Sequence, residues 1–166
     1  MPKLKDLTSV DVDYATDGPN QVVLTQSMDV PPAVLFNCLS NAAAWKEWLG
    51  IEVEWTSPEP YEVGTTRTVI TSGQTIEETF LAWDQNERLN FRFDRTTLPV
   101  SAFAEDYRIL PAGDQGCELH WSYAYEWAGP LAAISGPAFA KFFAMNGNRA
   151  LTKLKALVEA DPARFS

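Results

Sequence analysis

The chain has 166 residues, 46% of them hydrophobic and 21% charged, enough for one globular domain with a sizeable core. A formal net charge of -9 argues against nucleic acid and anionic membrane surfaces as partners, because both require a basic face. The two cysteines, Cys38 and Cys117, are far apart and form no CxxC pair, so neither a disulfide framework nor a zinc knuckle is indicated and two buried thiols are expected.

The opening "MPKLKDLTSVDVDY" has two lysines but no apolar h-region, and no apolar run in the chain approaches the roughly 18 residues of a membrane span. A soluble, cytoplasmic protein is expected. Alternating Val10, Val12 and Tyr14 predict an arm strand over Thr8–Tyr14 within an N-terminal segment, residues 1–20. "TDGPN" then turns the chain into a second strand over Gln21–Asp29. Pro31-Pro32 starts a short helix through Val34, Leu35, Cys38 and Leu39, and Asn41 reads as the N-cap of another that carries Trp45 and Trp48 and stops at Gly50. The tryptophans serve to anchor that helix, with closure of one end of a pocket as the alternative.

Six β segments follow: Ile51–Thr56, Gly64–Thr71, Gln74–Trp83, Arg88–Arg95, Ser101–Leu110 and Gly116–Trp127, separated by "SPEP", "SG", "DQNE", "LP" and "PAGDQG". Spacing this short predicts an antiparallel meander. From about Pro137 to Ala160 the apolar residues take helical spacing, a length of roughly 35 Å at 1.5 Å per residue, with Gly147 as a weak point. Phe139, Phe142 and Phe143 read as its core-facing anchors.

Register can be carried out from the Ser72-Gly73 turn. A two-residue loop sets Thr71 opposite Gln74 and Arg67 opposite Glu78, on the face of Val63, Val69, Ile76 and Phe80. A four-residue loop over Asp84–Glu87 then sets Phe80 against Phe91 and Glu78 against Phe93. In the last hairpin Trp121 and Tyr123 share the inward side, facing Phe103, Glu105 and Tyr107. Arg67, Glu78 and Glu105 thus fall on the aromatic face, whereas a slip of one residue would turn them to the surface. The single histidine, His120, falls on the outward face near Asp106 and reads as a surface residue.

The order strand, two small helices, meander and long helix, with "DVPPAVLFNCLSNAAAWKEWLG", "VGTTRTV", "EETFLAWDQNERLNFRF" and "YRILPAGDQGCELHWSYAY", resembles the START-like (SRPBCC) superfamily, closest to its polyketide cyclase/dehydrase-type branch, from Val22 to Glu159. The resemblance implies an α+β helix-grip fold: a curved antiparallel β-sheet wrapped around a long C-terminal α-helix, with two short helices after the first strand. Residues 21–160 would form this domain and 161–166 a tail.

The resemblance also implies a cavity between sheet and helix. Its expected lining is Arg67, Glu78 and Glu105 at the polar end, with Phe80, Phe91, Phe93, Phe103, Tyr107, Trp121 and Tyr123 from the sheet and Phe143 and Asn146 from the helix. Two functions fit. One is binding or carriage of a small, largely apolar molecule oriented by Arg67 or Glu78. The other is a cyclase- or dehydratase-type enzyme in which Arg67 stabilises a developing oxyanion and Glu78 or Glu105 moves the proton. A tight Arg67–Glu78 pair would lower the Glu78 pKa and leave Glu105 as the better proton carrier. A protein-interaction role is a weaker third. No metal, nucleotide or other cofactor is expected, nor nucleic acid or stable membrane insertion, and the chain is expected as a monomer or homodimer.

Overall fold

Period-two alternation of apolar and polar residues dominates the middle of the chain and builds one curved antiparallel sheet. The computed structural model describes residues 3–129 and 132–166, and for 132–140 the backbone alone. In chain order the elements are β1 (Lys5–Asp6), α1 (Tyr14–Asp17), β2 (Val22–Met28), α2 (Pro32–Leu39), α3 (Ala42–Trp48), β3 (Glu52–Trp55), β4 (Thr66–Thr71), β5 (Gln74–Asp84), β6 (Arg88–Thr96), β7 (Val100–Ala112), β8 (Gly116–Trp127) and α4 (Ala132–Ala160), with a final 3₁₀ turn over Pro162–Phe165. Strand order is β2-β8-β7-β6-β5-β4-β3, with β1 paired to β6, so the sheet among the described residues has eight strands. With α4 against its concave face, this is the helix-grip architecture.

Ser72 and Gly73 both have positive φ, 44° and 79°, the geometry that lets two residues reverse a strand. Thr71 pairs with Gln74 and Arg67 with Glu78 as the turn requires. The next turn differs from expectation. Asp84 pairs with Arg88, leaving three loop residues with Asn86 at φ 65°, and Leu81 is an extra residue between Phe80, opposite Phe91, and Ala82, opposite Asn90. The bulge offsets the shorter loop, so Phe80 and Glu78 still meet Phe91 and Phe93.

The N-terminal segment forms its strand at Lys5–Asp6 instead of Thr8–Tyr14, and Tyr14 opens a single helical turn. Val10 and Val12 do not join a ladder. Their carbonyls accept side-chain hydrogen bonds from Arg92 and Asn90 on the sheet's outer face. The last residues are tied down as well: Phe165 is buried, and Arg164 pairs with Glu47 of α3.

Asn41 caps α3 as its sequence position predicts, accepting from Ala43 N and Ala44 N. The C-terminal half of α4 buries Leu151, Leu154 and Val158 against the core that α2 and α3 share. The preceding turns, with Phe143, Asn146 and Gly147, border open space instead. The helix starts at Ala132, ahead of Pro137, and runs through Gly147 without interruption. A Cβ at Gly147 would stand 2.3 Å from Leu24 Cδ1, so helix and sheet approach closely at this glycine. Phe139 lies outside the residues whose side chains are described.

Candidate ligand cavity

A cavity of about 300 Å³ lies between the concave face of the sheet and α4. Apolar side chains from β4 to β8, joined by others from α3, α4 and the loops, make most of its wall, and Arg67, Glu78 and Glu105 make its charged part. Arg67 and Glu78 occupy paired positions on β4 and β5, with Nε 2.5 Å from Oε2, and are 1% and 3% exposed. Trp45 and Phe91 each have their ring centre 4.4 Å from the guanidinium carbon, and Phe80 lies at 5.0 Å. Arg67 Nη1 has no hydrogen-bond partner among the described residues. An unmade bond to a buried charged donor costs about 1–3 kcal/mol, and this nitrogen is sealed from the cavity as well as from solvent.

Glu105 stands one strand pair further along the same face. Tyr107 Oη and Trp121 Nε1, each at 2.8 Å, both donate to Oε2. Oε1 receives no such bond among the described residues, and the side chain is only half-buried on the cavity wall. Desolvation, reinforced by the nearby Glu78 carboxylate, pushes Glu105 up to about 7, against the opposing pull of its two donors and Arg67. Burial also raises the Tyr107 hydroxyl well above its usual value, keeping it a proton donor. Glu78 departs from the sequence expectation, because desolvation raises its pKa more than Arg67 lowers it.

Of the expected lining, Arg67, Glu78, Phe91, Phe93, Phe103 and Glu105 reach the cavity from β4–β7, Trp121 and Tyr123 from β8, and Phe143 and Asn146 from α4. Phe80 and Tyr107 do not. Each is 1% exposed and sits behind the wall, Phe80 among Trp55, Trp83 and Phe91, Tyr107 between Phe91 and Trp121. Their parity was right, but neighbouring rings cover them. Asn146 donates its amide to Phe142 O, one turn back along the helix. Phe142 is no core anchor: it is 55% exposed at the cavity's edge. His120 lies on the outer face against Glu118 instead of Asp106, whose carboxylate is taken by Arg88, Asn90 and Arg108.

Sequence reasoning missed part of the wall. Val69, Thr71 and Ile76 share the parity of Arg67 and Glu78 and were legible by the same count. Leu49, Ile51 and Leu98 come from loops, where no periodicity points inward. Trp45 is both anchor and wall, since its Nε1 donates to Leu39 O at 2.8 Å while its ring covers Arg67. Among the described residues no three His, Cys, Asp or Glu side chains cluster as a metal site, and no helix is long and apolar enough to cross a membrane.

Fold and cavity together define a START-like helix-grip protein. Solved structures share the architecture: a START superfamily protein from Mycobacterium smegmatis superposes with TM-score 0.70 at 14% identity over 84% of this chain and 97% of that one. The Zhui aromatase/cyclase from Streptomyces sp. R1128 does so with 0.68 at 14% identity over 85% and 94%. The chain belongs to the family described as "Polyketide cyclase / dehydrase and lipid transport", whose sequence profile matches residues 20–159. Uncharacterised proteins of Mycobacterium tuberculosis and Mycobacterium bovis are 42% identical to it over 110 residues, a stretch that is 64% of this chain and 65% of the relatives' length.

Proposed function

We propose that the protein binds or carries, in the cytoplasm, a small and largely apolar molecule with one polar group. The observation that carries this reading is the aromatic-walled cavity whose polar end holds the Arg67–Glu78 pair and a half-buried Glu105 carboxyl. Burial of the ligand's carbon skeleton supplies affinity at about 25 cal/mol per Å², and the polar end fixes its orientation. The test is gentle purification followed by native and denaturing mass spectrometry, with competitive displacement of the neutral dye Nile red. A co-purified or displacing small molecule supports the reading. A chain that carries nothing and binds no Nile red refutes it.

Glu105, near neutrality and close to Arg67, favours one alternative, an acid–base enzyme of the cyclase or dehydratase type. There Glu105 moves a proton while Arg67 holds a developing oxyanion. With a ligand in hand, Glu105→Gln separates the two readings: a carrier loses affinity, whereas an enzyme loses kcat with little change in binding.

A further inference from the structure

The polar end of the cavity contains one cation and two carboxyl groups, and the cation is already taken. Arg67 Nε is 2.5 Å from Glu78, so an entering anion would meet a guanidinium shared with one carboxylate and a second carboxyl group, Glu105, beside it. Arg67 Nη1 lacks an acceptor but is sealed from the cavity, whereas Glu105 Oε1 receives no hydrogen bond among the described residues and its side chain is half-exposed on the cavity wall. The open position is therefore an acceptor, which an oxygen that carries a hydrogen fills. We propose that the cavity selects neutral hydroxyl-bearing ligands, alcohols or phenols, over carboxylates of the same skeleton, with Glu105 as the residue that decides. The inference rests on the ligand-binding reading above and adds the ligand's chemistry.

A hydroxyl donates to Glu105, whereas a carboxylate brings no hydrogen and sets two like charges together in a desolvated site. The groups facing Glu105 are Arg67 on β4, Glu78 on β5, Tyr107 on its own β7 and Trp121 and Tyr123 on β8; the α4 residues that line the same space, Phe143, Asn146 and Gly147, carry no charge. Arg149 and Lys153 border the groove next to the cavity, past Phe142 and Asn146, so anions are not turned away at its edge. Discrimination therefore belongs to the interior.

Naphthalene, 2-naphthol and 2-naphthoate share one skeleton and supply the probes, titrated calorimetrically into the full chain. At about pH 8, where Glu105 is largely ionised, 2-naphthol is expected to bind at least about tenfold more tightly than 2-naphthoate, with naphthalene between them. Glu105→Gln should bring the two affinities within about threefold, by weakening 2-naphthol and tightening 2-naphthoate. The unaltered chain gives a second readout, independent of how the variant folds: lowering the pH to about 6, where Glu105 is protonated, should tighten 2-naphthoate severalfold and weaken 2-naphthol. Equal or tighter binding of 2-naphthoate at about pH 8, or a preference that neither Glu105→Gln nor pH alters, overturns the inference while sparing the cavity reading. Failure of naphthalene, 2-naphthol and 2-naphthoate alike overturns both.

Discussion

Arg67 and Glu78 put an ion pair in an aromatic core, a placement that is costly unless each charge answers the other. Removing one partner strands the second. Arg67→Met should therefore cost about 3–5 kcal/mol of unfolding free energy, measured by urea denaturation, and the double variant Arg67→Met/Glu78→Leu should recover most of it. Glu105 makes a different prediction, because its folded pKa of about 7 lies above the usual carboxylate value. The folded chain holds that proton more tightly than the unfolded chain, so the stability it contributes is present in mild acid and is lost as pH rises through about 7. Between about pH 5.5 and pH 8.5 Tm should fall by about 5 °C, and Glu105→Gln should flatten that slope. Arg67 and Glu78 could be placed from sequence, because a tight turn with a glycine fixes their parity, and Glu105 by the period of two in the last hairpin. The direction of the Glu78 shift could not, since it depends on how completely Trp45, Phe80 and Phe91 shut out water around the pair.

Three elements set the size of the cavity. The N-cap Asn41 holds α3, which places Trp45 over Arg67. Asn41→Ala should cost about 1 kcal/mol and loosen that wall, seen as faster hydrogen exchange in α3. Gly147 is the second control point. A Gly147→Val side chain would strike Leu24 and enter the cavity, destabilising the chain by about 2 kcal/mol and abolishing Nile red binding; Leu24→Ala in the same chain should restore part of the stability. The third is the β5–β6 hairpin, where the sequence reading used a loop one residue too long. Asn86 takes a positive φ that permits a three-residue loop, and the bulge at Leu81 returns the strand to the expected parity before Phe80. Two local departures cancel, which is why the inward set survives an error in the turn. Alternation failed outright in the N-terminal segment. Val10 and Val12 alternate as a strand does, but side chains of β6 take their carbonyls and no backbone ladder forms.

At the scale of the whole molecule, α4 divides the interior into a filled end and an open end. Leu151, Leu154 and Val158 close the core against α2 and α3, while Phe143, Asn146 and Gly147 roof the cavity. The helical periodicity of the sequence marks a single apolar face along this helix and cannot tell which part of it meets protein and which meets space. That distinction depends on how far the sheet curves away, so the cavity was an implication of family resemblance and its volume a property of the folded chain alone. The central claim is that this space takes up an apolar molecule. Methyl NMR during a titration with naphthalene tests it most directly, because Ile51, Val69, Ile76 and Leu98 line the cavity whereas Val23 and Leu110 are exposed. The account predicts saturable shifts and intermolecular NOEs at the first four methyl-bearing residues. Absence of saturable change there, or shifts confined to Val23 and Leu110, would contradict it.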